Sequence, residues 1–385
     1  MSAVLMDVSE LLAAPVRTGI QRVVRALLRH WPQTQRLYLC RFVAGRGLVM
    51  VPDAVLPWLT DATEAARNVA PGELARQVHA LLDADAPAIP PGLPILVPEL
   101  FFGAERCSAH RALLAADPGR VRYLLHDLIP WLYPGLIGVR GSAHLMPYLA
   151  LLRDARMVCF TSDEVRHEFA TRVRRMERPE AAALERVGPV FPLGADGPPV
   201  ARQSFTPDRR TYLCIGSVDG RKNQAAVVAA FRQLWKAGSD ARLVVVGRVF
   251  AQMLGEADEL ALREMEAEPR FSHLQDVGED LLAELFGKAR ATIFVSRREG
   301  FGLPPVESLA AGVPVIVSTA VPSVAGLAPD GLVRLEEPTP DAIAAAVTLL
   351  ESDQRAARLW AGAAKQVLPG WAGMAAALAG WMEGG

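Results

Sequence analysis

Short apolar runs rich in Val, Ile and Leu alternate with amphipathic segments along the whole chain, and this alternation restricts the fold more than any other feature. Continuous apolar strands separated by helices indicate parallel sheets that are covered by helices on both faces. In the second half, the runs 211–217, 241–247 and 291–296 are predicted strands. The runs 2–9 and 121–127 show the same pattern in the first half. We therefore predict an α/β protein with Rossmann-like, doubly wound parallel sheets.

The chain is long enough for two domains. Its 385 residues exceed the ~250–300 residues at which a single core stops growing. A Pro- and Gly-rich stretch near 194–208 reads as a linker. We predict an N-terminal domain over 1–194, a second domain over 195–370, and a C-terminal helix over 371–385 that packs back on the first domain. A ligand cleft is expected where the carboxyl ends of both sets of strands face each other.

Composition excludes several classes of protein. The chain is 51% hydrophobic and 22% charged with a formal net charge of -1, so it has no field that would gather nucleic acid. Its four cysteines show no Cys-x-x-Cys spacing, which predicts neither a disulfide framework nor a zinc site and favours the cytoplasm. The N-terminus reaches Asp7 too soon for a signal peptide, and the longest uncharged run, 308–329, is interrupted by prolines and is not expected to span a membrane.

The segment GSVDGRKNQ follows the predicted strand 211–217 and opens a helix. A helix N-terminus attracts anions because its N–H groups and dipole point at the ligand. Arg221 adds a bidentate fork and Lys222 a mobile point charge, and both suit a diphosphate. The alternative is a solvated basic turn with Asn223 as the helix cap. These residues alone leave both interpretations open.

The segment SRREGFGLPPVESLAAG places two carboxylates, Glu299 and Glu307, around a turn rich in Gly and Pro. Its prolines suit a helix start, so the N–H groups of Phe301, Gly302 and Leu303 are predicted to face a ligand. A carboxylate accepts two hydroxyl protons, as a sugar diol requires. We expect Glu307 in the first helical turn, where capping would explain it. Capping leaves Glu299 unexplained.

These segments together resemble a known family. EGFGLPPVESLAAGVPVIVS resembles the E-x7-E signature of retaining glycosyltransferase family 4, and IGSVDGRKN is similar to the diphosphate loop of that family. VGEDLLAELFGKARATIFVS is similar to the segment before the signature, and the resemblance covers about 187–350. It implies the GT-B fold, in which two Rossmann-like domains face a central cleft, and a role in bacterial glycan or lipid-linked glycan biosynthesis. The domain over 1–194 would then bind the acceptor, and the domain over 195–370 would bind the nucleotide sugar.

The resemblance also implies residue roles. Arg221 and Lys222 would neutralise the diphosphate, Glu299 would contact the transferred sugar and polarise the reacting centre, and Glu307 would bind the ribose hydroxyls. His126, in the turn HDLIP, would contact the donor sugar, although a lone histidine is more often structural. The further residues that the resemblance places in the donor site are Gly19, Asp127, Gly216, Val277, Gly278, Phe301, Gly302 and Leu303. Of these, Val277 and Gly278 would lie near the base of the nucleotide.

The expected reaction is transfer of a hexose from a nucleotide diphosphate sugar to a glycan or lipid-linked glycan, with retention at the anomeric carbon. No cofactor is expected and no metal, because neither half offers a suitable Asp-x-Asp; the DAD at 83–85 lies in an irregular region. The HDLIP turn favours mannose from GDP-mannose, since the family's mannosyltransferases often carry such turns. The alternatives are a non-catalytic sugar-nucleotide-binding module and a GT-B sugar-nucleotide epimerase.

The helix that follows Gly19 could contact a membrane surface or pack on the core. Its apolar residues share one face, and Arg22, Arg25 and Arg29 lie elsewhere. Such a helix suits an anionic membrane surface, so peripheral contact with the cytoplasmic face of the inner membrane is one reading. A core-packed helix with a solvated arginine face is the favoured one.

Overall fold

The computed structural model describes residues 2–15, 19–60, 71–83, 85–136, 146–196, 202–250, 256–265, 267–275 and 277–384. The chain divides into two compact units. The first comprises Met1–Trp131, Ser142–Gly194 and Gly370–Gly385, and the second comprises Leu132–Gly141 and Ala195–Pro369. Each unit contains its own six-stranded sheet.

The first unit surrounds a mixed sheet in the order β3-β2-β1-β4-β5-β6. Its strands are β1 (Ala3–Asp7), β2 (Arg36–Val43), β3 (Gly47–Val51), β4 (Ile95–Val97), β5 (Val121–Leu125) and β6 (Met157–Phe160). Its helices are α1 (Ser9–Ala13), α2 (Gly19–His30), α3 (Leu56–Leu59), α4 (Pro71–Ala80), α5 (Ala104–Ala116), α6 (Ile129–Leu132), α7 (Met146–Asp154), α8 (Asp163–Glu168) and α9 (Ala181–Val187).

Strand β3 departs from the predicted all-parallel sheet. It pairs with β2 in antiparallel fashion at the edge, while the other pairs in the sheet are parallel. The short connection between β2 and β3 contains Gly45 at φ 73° and leads into Gly47 at φ 79°. A connection this short can join only antiparallel neighbours. The segment AGRG between two apolar runs was the available sequence signal.

The second unit surrounds an all-parallel sheet in the order β12-β11-β10-β7-β8-β9. Its strands are β7 (Thr211–Ile215), β8 (Arg242–Val246), β9 (Phe271–Leu274), β10 (Ala289–Phe294), β11 (Val315–Ser318) and β12 (Leu332–Leu335). Its helices are α10 (Gln224–Lys236), α11 (Glu256–Arg263), α12 (Glu279–Lys288), α13 (Leu303–Ala310), α14 (Pro340–Glu351) and α15 (Asp353–Ala363).

Both faces of this second sheet are buried. In β7, Tyr212 belongs to the core that contains Phe231 of α10, whereas its neighbour Leu213 belongs to the core that contains Phe286 of α12. Successive side chains of a strand point to opposite faces, so each face has its own helices. This arrangement confirms the predicted doubly wound fold.

The last helix, α16 (Trp371–Glu383), lies in the first unit. The Nε2 of Gln35 donates to the carbonyl of Ala379 at 3.4 Å, and the guanidinium of Arg122 lies 5.2 Å from the ring centroid of Trp381. A Cβ on Gly194 would come within 2.4 Å of the backbone N of Trp371. The close approach of this helix therefore requires glycine at 194.

One segment falls outside the predicted boundary. Leu132–Gly141 groups with the second unit, although it lies within 1–194. Within that unit, the guanidinium of Arg298 lies 5.1 Å from the ring centroid of Tyr133. A prediction from sequence alone assigns a segment to its neighbours along the chain, because the sequence carries no signal for a contact with a residue far away in the chain.

Helix α2 buries more than its apolar face. Arg25 is 3% exposed, and its NH1 donates to the carbonyl of Leu59 at 2.5 Å. The Nε of Arg29 donates to the carbonyl of Thr60 at 2.6 Å. The expected solvated arginine face is therefore wrong for Arg25, because its guanidinium satisfies a buried carbonyl at the end of α3. No helix in the described part of the chain is long and apolar enough to cross a bilayer.

All four cysteines, Cys40, Cys107, Cys159 and Cys214, are buried free thiols.

Candidate functional site

The turn between β7 and α10 lies at the carboxyl edge of the second sheet. The carboxylate of Asp219 organises it, because Oδ2 accepts from Ser217 Oγ at 2.7 Å and Oδ1 accepts from the N–H of Arg221 at 3.1 Å. Gly216, which ends β7, has φ 141°. A Cβ on Gly247 of the neighbouring strand end would come within 1.9 Å of the carbonyl oxygen of Gly216, so this edge is tightly packed.

Asn223 occupies the N-cap position of α10, but its side chain does not cap the helix. Its backbone is left-handed at φ 62°, and its side chain makes no capping hydrogen bond. Instead, Nδ2 donates to the carbonyl of Pro338 at 3.0 Å and Oδ1 accepts from NH2 of Arg297 at 3.1 Å. The alternative reading of this turn as a simple solvated cap is therefore wrong, because Asn223 links it to two other loops of the same unit.

Glu299 lies between the two predicted diphosphate cations. Its Oε2 is 3.1 Å from NH1 of Arg221, and its Oε1 is 2.5 Å from Nζ of Lys222. All three side chains are largely buried: Glu299 is 7% exposed, Arg221 is 16% exposed and Lys222 is 11% exposed. Burial alone would raise the pKa of Glu299, but Lys222 and Arg221 outweigh it and lower that pKa, so the carboxylate is ionised.

The loop after β10 ends at the N-terminus of α13. Gly302 is the N-cap at φ 90°, and a Cβ there would come within 2.5 Å of Cγ1 of Val321. The side chains of Phe301 and Leu303 are buried. Pro304 and Pro305 occupy the first turn, as predicted from their tolerance at a helix start. The loop that carries Glu299 thus leads directly into the N-terminus of this helix.

The predicted capping role of Glu307 is wrong. Helix α13 begins at Leu303, so Glu307 is its fifth residue, and no acidic residue lies in the first turn. The stabilising effect of the dipole is confined to that first turn. Helix capping therefore does not explain Glu307, and its assignment to ribose hydroxyls stays a prediction.

Val277 and Gly278, which are predicted to lie near the base of the nucleotide, follow β9. Val277 is partly buried against the core that contains Phe286, and Gly278 is the exposed N-cap of α12. Strand β9 lies two positions from β7 in the sheet, and both strands end at the same edge. The contact of these residues with a base stays a prediction.

In the first unit, His126 follows β5. Its Nε2 lies 2.7 Å from the carbonyl oxygen of Pro98, which can only accept, so Nε2 carries the proton. Burial lowers the pKa of His126, so the ring is neutral and Nδ1 keeps a lone pair. With Ile20, Tyr148 and other residues it lines a small cavity.

The remaining predicted residues of this unit have local roles in the structure. Asp127 Oδ1 accepts from the N–H of Ile129 at 3.0 Å, at the start of α6. Gly19 is the first residue of α2, and a Cβ there would meet nothing within 4 Å. The donor contacts assigned to His126, Asp127 and Gly19 stay predictions.

Sequence reasoning missed a buried ionic cluster at the carboxyl edge of the first sheet. Arg106 NH2 lies 2.8 Å from Asp7 Oδ2, and its NH1 lies 2.5 Å from Glu10 Oε1. Glu99, which is 1% exposed, accepts from the N–H of Leu11 at 3.1 Å, while its Oε1 meets no donor within the described residues. The signal was a charged residue directly after each of the apolar runs that form β1 and β4.

Glu99 should make stability depend on pH. Burial, aided by the nearby carboxylates, raises its pKa from 4.5 to about 8. The folded protein then holds this proton more tightly than the unfolded chain, so the free energy of unfolding falls as pH rises through that window. We expect the free energy of unfolding of the wild type to fall by about 2 kcal/mol or more between pH 5 and 8.5 relative to Glu99→Gln. Urea unfolding of both proteins across this range checks it, and parallel curves would contradict it.

Within the described residues, no group of three or more His, Cys, Asp or Glu side chains is arranged to hold a metal ion.

Known proteins resemble this chain in sequence and in fold. Residues 200–367 match the family model for glycosyl transferases group 1. The serotype-specific mannosyltransferase WbdA of Escherichia coli is 26% identical over 328 residues, which are 81% of this chain and 37% of WbdA. The O-antigen chain mannosyltransferase RfbU of Salmonella typhimurium is 32% identical over 110 residues, 28% of this chain and 29% of RfbU. The chain thus spans under two fifths of the length of WbdA.

Solved structures agree on the fold. Anabaena HepE in complex with UDP and glucose has a TM-score of 0.65 at 13% identity, and all of both chains is covered. Sucrose-phosphate synthase from Thermosynechococcus elongatus has a TM-score of 0.63 at 17% identity, covering 100% of this chain and 98% of the synthase. The two α/β units thus have the GT-B fold, and the residues that match the glycosyl transferases group 1 model include Arg221, Lys222, Glu299 and Glu307.

Proposed function

We propose that this protein transfers a hexose from a nucleotide diphosphate sugar to a glycan or lipid-linked glycan, with retention at the anomeric carbon and without a metal ion. The observation that carries the proposal is the buried Glu299 carboxylate between Arg221 and Lys222, beside the N-terminus of α13. Two cations and a helix N-terminus suit a diphosphate. A carboxylate in the same place suits the hydroxyls of the attached sugar.

The proposed chemistry depends on stabilising the leaving group. The bond between the anomeric carbon and the diphosphate oxygen breaks, and negative charge develops on that oxygen. Arg221 and Lys222, fixed before the reaction by Asp219 and Glu299, provide positive charge in a largely dry site, where such stabilisation is strong. The acceptor oxygen attacks the same face of the sugar, and its proton passes to the departing phosphate. This route needs no covalent nucleophile from the protein.

The donor that we propose is GDP-mannose. The curated relatives that support it are named mannosyltransferases, and the turn HDLIP favours the same sugar. Glu307 would bind the ribose, which all common sugar nucleotides share, so Glu307 does not distinguish among them. For an acceptor carried on a lipid, the protein would work in the cytoplasm at the membrane face.

Product stereochemistry tests the proposal. With a nucleotide sugar and an acceptor glycan, proton NMR of the first product should show the same anomeric configuration as the donor. A product of inverted configuration would contradict retention. Nucleotide binding without turnover on any glycan would favour a binding module, and interconversion of donor sugars without an acceptor would favour an epimerase. Omitting divalent metal and adding EDTA should leave the rate unchanged.

A further inference from the structure

We infer that Glu299 occupies the diphosphate site of the free protein as an internal anion, that a diphosphate displaces it from Arg221 and Lys222, and that the hydroxyl of Ser296 holds the released carboxylate. The inference rests on the proposed function, and it adds Ser296 as a residue that positions Glu299 during transfer.

The charged side chains of the free site balance one another. Arg221 and Lys222 supply two positive charges, and Glu299 and Asp219 supply two negative ones. Both oxygens of Glu299 are engaged with the cations, and its lowered pKa keeps it ionised at neutral pH. An arriving diphosphate would therefore meet a neutral cluster, and it would gain a cationic site only when a carboxylate leaves.

Glu299, and not Asp219, is the carboxylate that leaves. Asp219 is 2% exposed and is held by the hydroxyl of Ser217 and the N–H of Arg221, neither of which a diphosphate would take over. Glu299 lies in the loop between β10 and α13, and its hydrogen bonds go to the two cations themselves. A diphosphate that binds these cations replaces the partners of Glu299 and leaves those of Asp219 largely in place.

The third step gives the released carboxylate a partner. Ser296 lies three residues before Glu299 and is 1% exposed. Its hydroxyl already lies against this carboxylate, because a hydrogen bond from Ser296 helps to lower the pKa of Glu299. Ser296 is therefore a donor already in place for Glu299 once the cations bind the diphosphate.

Glu299→Gln tests the exchange, because it removes the competing charge and keeps the shape. Calorimetry with GDP and UDP should show affinity at least about tenfold tighter than in the wild type, since a nearby negative charge is gone. GDP-mannose and UDP-glucose should gain less, because the variant also loses contacts with the sugar. Thermal unfolding of the free variant should occur at a lower temperature, and GDP should raise that temperature by more than in the wild type.

The matched control is Glu307→Gln, the other acid of the same signature. It should weaken the binding of both GDP and GDP-mannose. If the wild type binds no nucleoside diphosphate or sugar nucleotide, the proposed function itself fails. If the wild type binds and Glu299→Gln binds GDP equally or more weakly, the exchange is overturned while the proposed function stands.

Ser296→Ala provides a second test that does not disturb the ion pairs. It should leave GDP affinity within about twofold of the wild type and lower the transfer rate at least about tenfold, and Ser296→Thr should restore much of that rate. Ser318→Ala is the control, since Ser318 is equally buried at the end of the adjacent strand and its Oγ accepts from the N–H of Ala320 at 3.2 Å. A full transfer rate in Ser296→Ala would overturn the role of Ser296.

Discussion

Replacing Lys222 by Met should lower kcat/KM for the nucleotide sugar by about 1,000-fold, because the leaving diphosphate loses one of its two cations in a site that excludes most water. Methionine keeps much of the length and the apolar contacts of the lysine side chain. In the wild type, Nζ of Lys222 lies 4.7 Å from the ring centroid of Phe294. Glu299 would remain paired with Arg221 at 3.1 Å, so we expect the variant to fold.

The control for Lys222→Met is Lys236→Met. Lys236 is exposed at the end of α10, the helix that Lys222 precedes. The rate of the control should stay within about twofold of the wild type, since isolated surface charges have small effects. Steady-state transfer assays, with circular dichroism to confirm folding, compare the two variants. A loss below tenfold in Lys222→Met would contradict a direct role in diphosphate binding.

Replacing Gly302 by Ala should destabilise the second unit by about 3 kcal/mol. A left-handed backbone costs an alanine about 1–2 kcal/mol, and overpacking adds a similar amount. Here φ is 90°, and the new Cβ would lie 2.5 Å from Cγ1 of Val321, a buried side chain that has little room to move. Because Gly302 caps α13, the substitution should also shift the N–H groups that we propose to face the diphosphate, and transfer should be lost.

Gly287→Ala is the matched control for Gly302→Ala. Gly287 lies within α12, and the nearest atom to its new Cβ, Oε1 of Gln203, is 3.5 Å away. Alanine favours a helix interior over glycine by about 0.5–1 kcal/mol, so this variant should be as stable as the wild type or slightly more so. Urea unfolding measures both. A change below about 1 kcal/mol in Gly302→Ala would contradict the tight left-handed turn.

Much of the second unit could be predicted from sequence because its physical signals are local. Runs such as TYLCI are apolar on both faces, which only a sheet covered by helices on both faces accommodates. The resemblance placed Arg221, Lys222 and Glu299 in one donor site, and in the structure Glu299 lies 3.1 Å from NH1 of Arg221 and 2.5 Å from Nζ of Lys222.

What could not be predicted depends on contacts between distant parts of the chain. Glu307 was expected in the first turn of a helix, but α13 begins at Leu303, directly after Gly302, where the close approach of Val321, nineteen residues later in the chain, leaves no room for a side chain. Arg25 was expected in solvent, but it meets a carbonyl at the end of α3. The Glu99 carboxylate is buried through a contact with Leu11, eighty-eight residues away. Periodicity carries no information about such partners.

The central claim is that the second unit binds a nucleotide diphosphate sugar through Arg221 and Lys222. Calorimetric titration with GDP, UDP, dTDP and ADP sugars tests it most directly, with the wild type and Lys222→Met side by side. We predict one site per chain with a preference for GDP-mannose, and binding that is lost or greatly weakened in Lys222→Met. A preference for a UDP sugar would discard mannose and leave the site intact. Binding of none of these donors, or equal binding by both proteins, would contradict the claim.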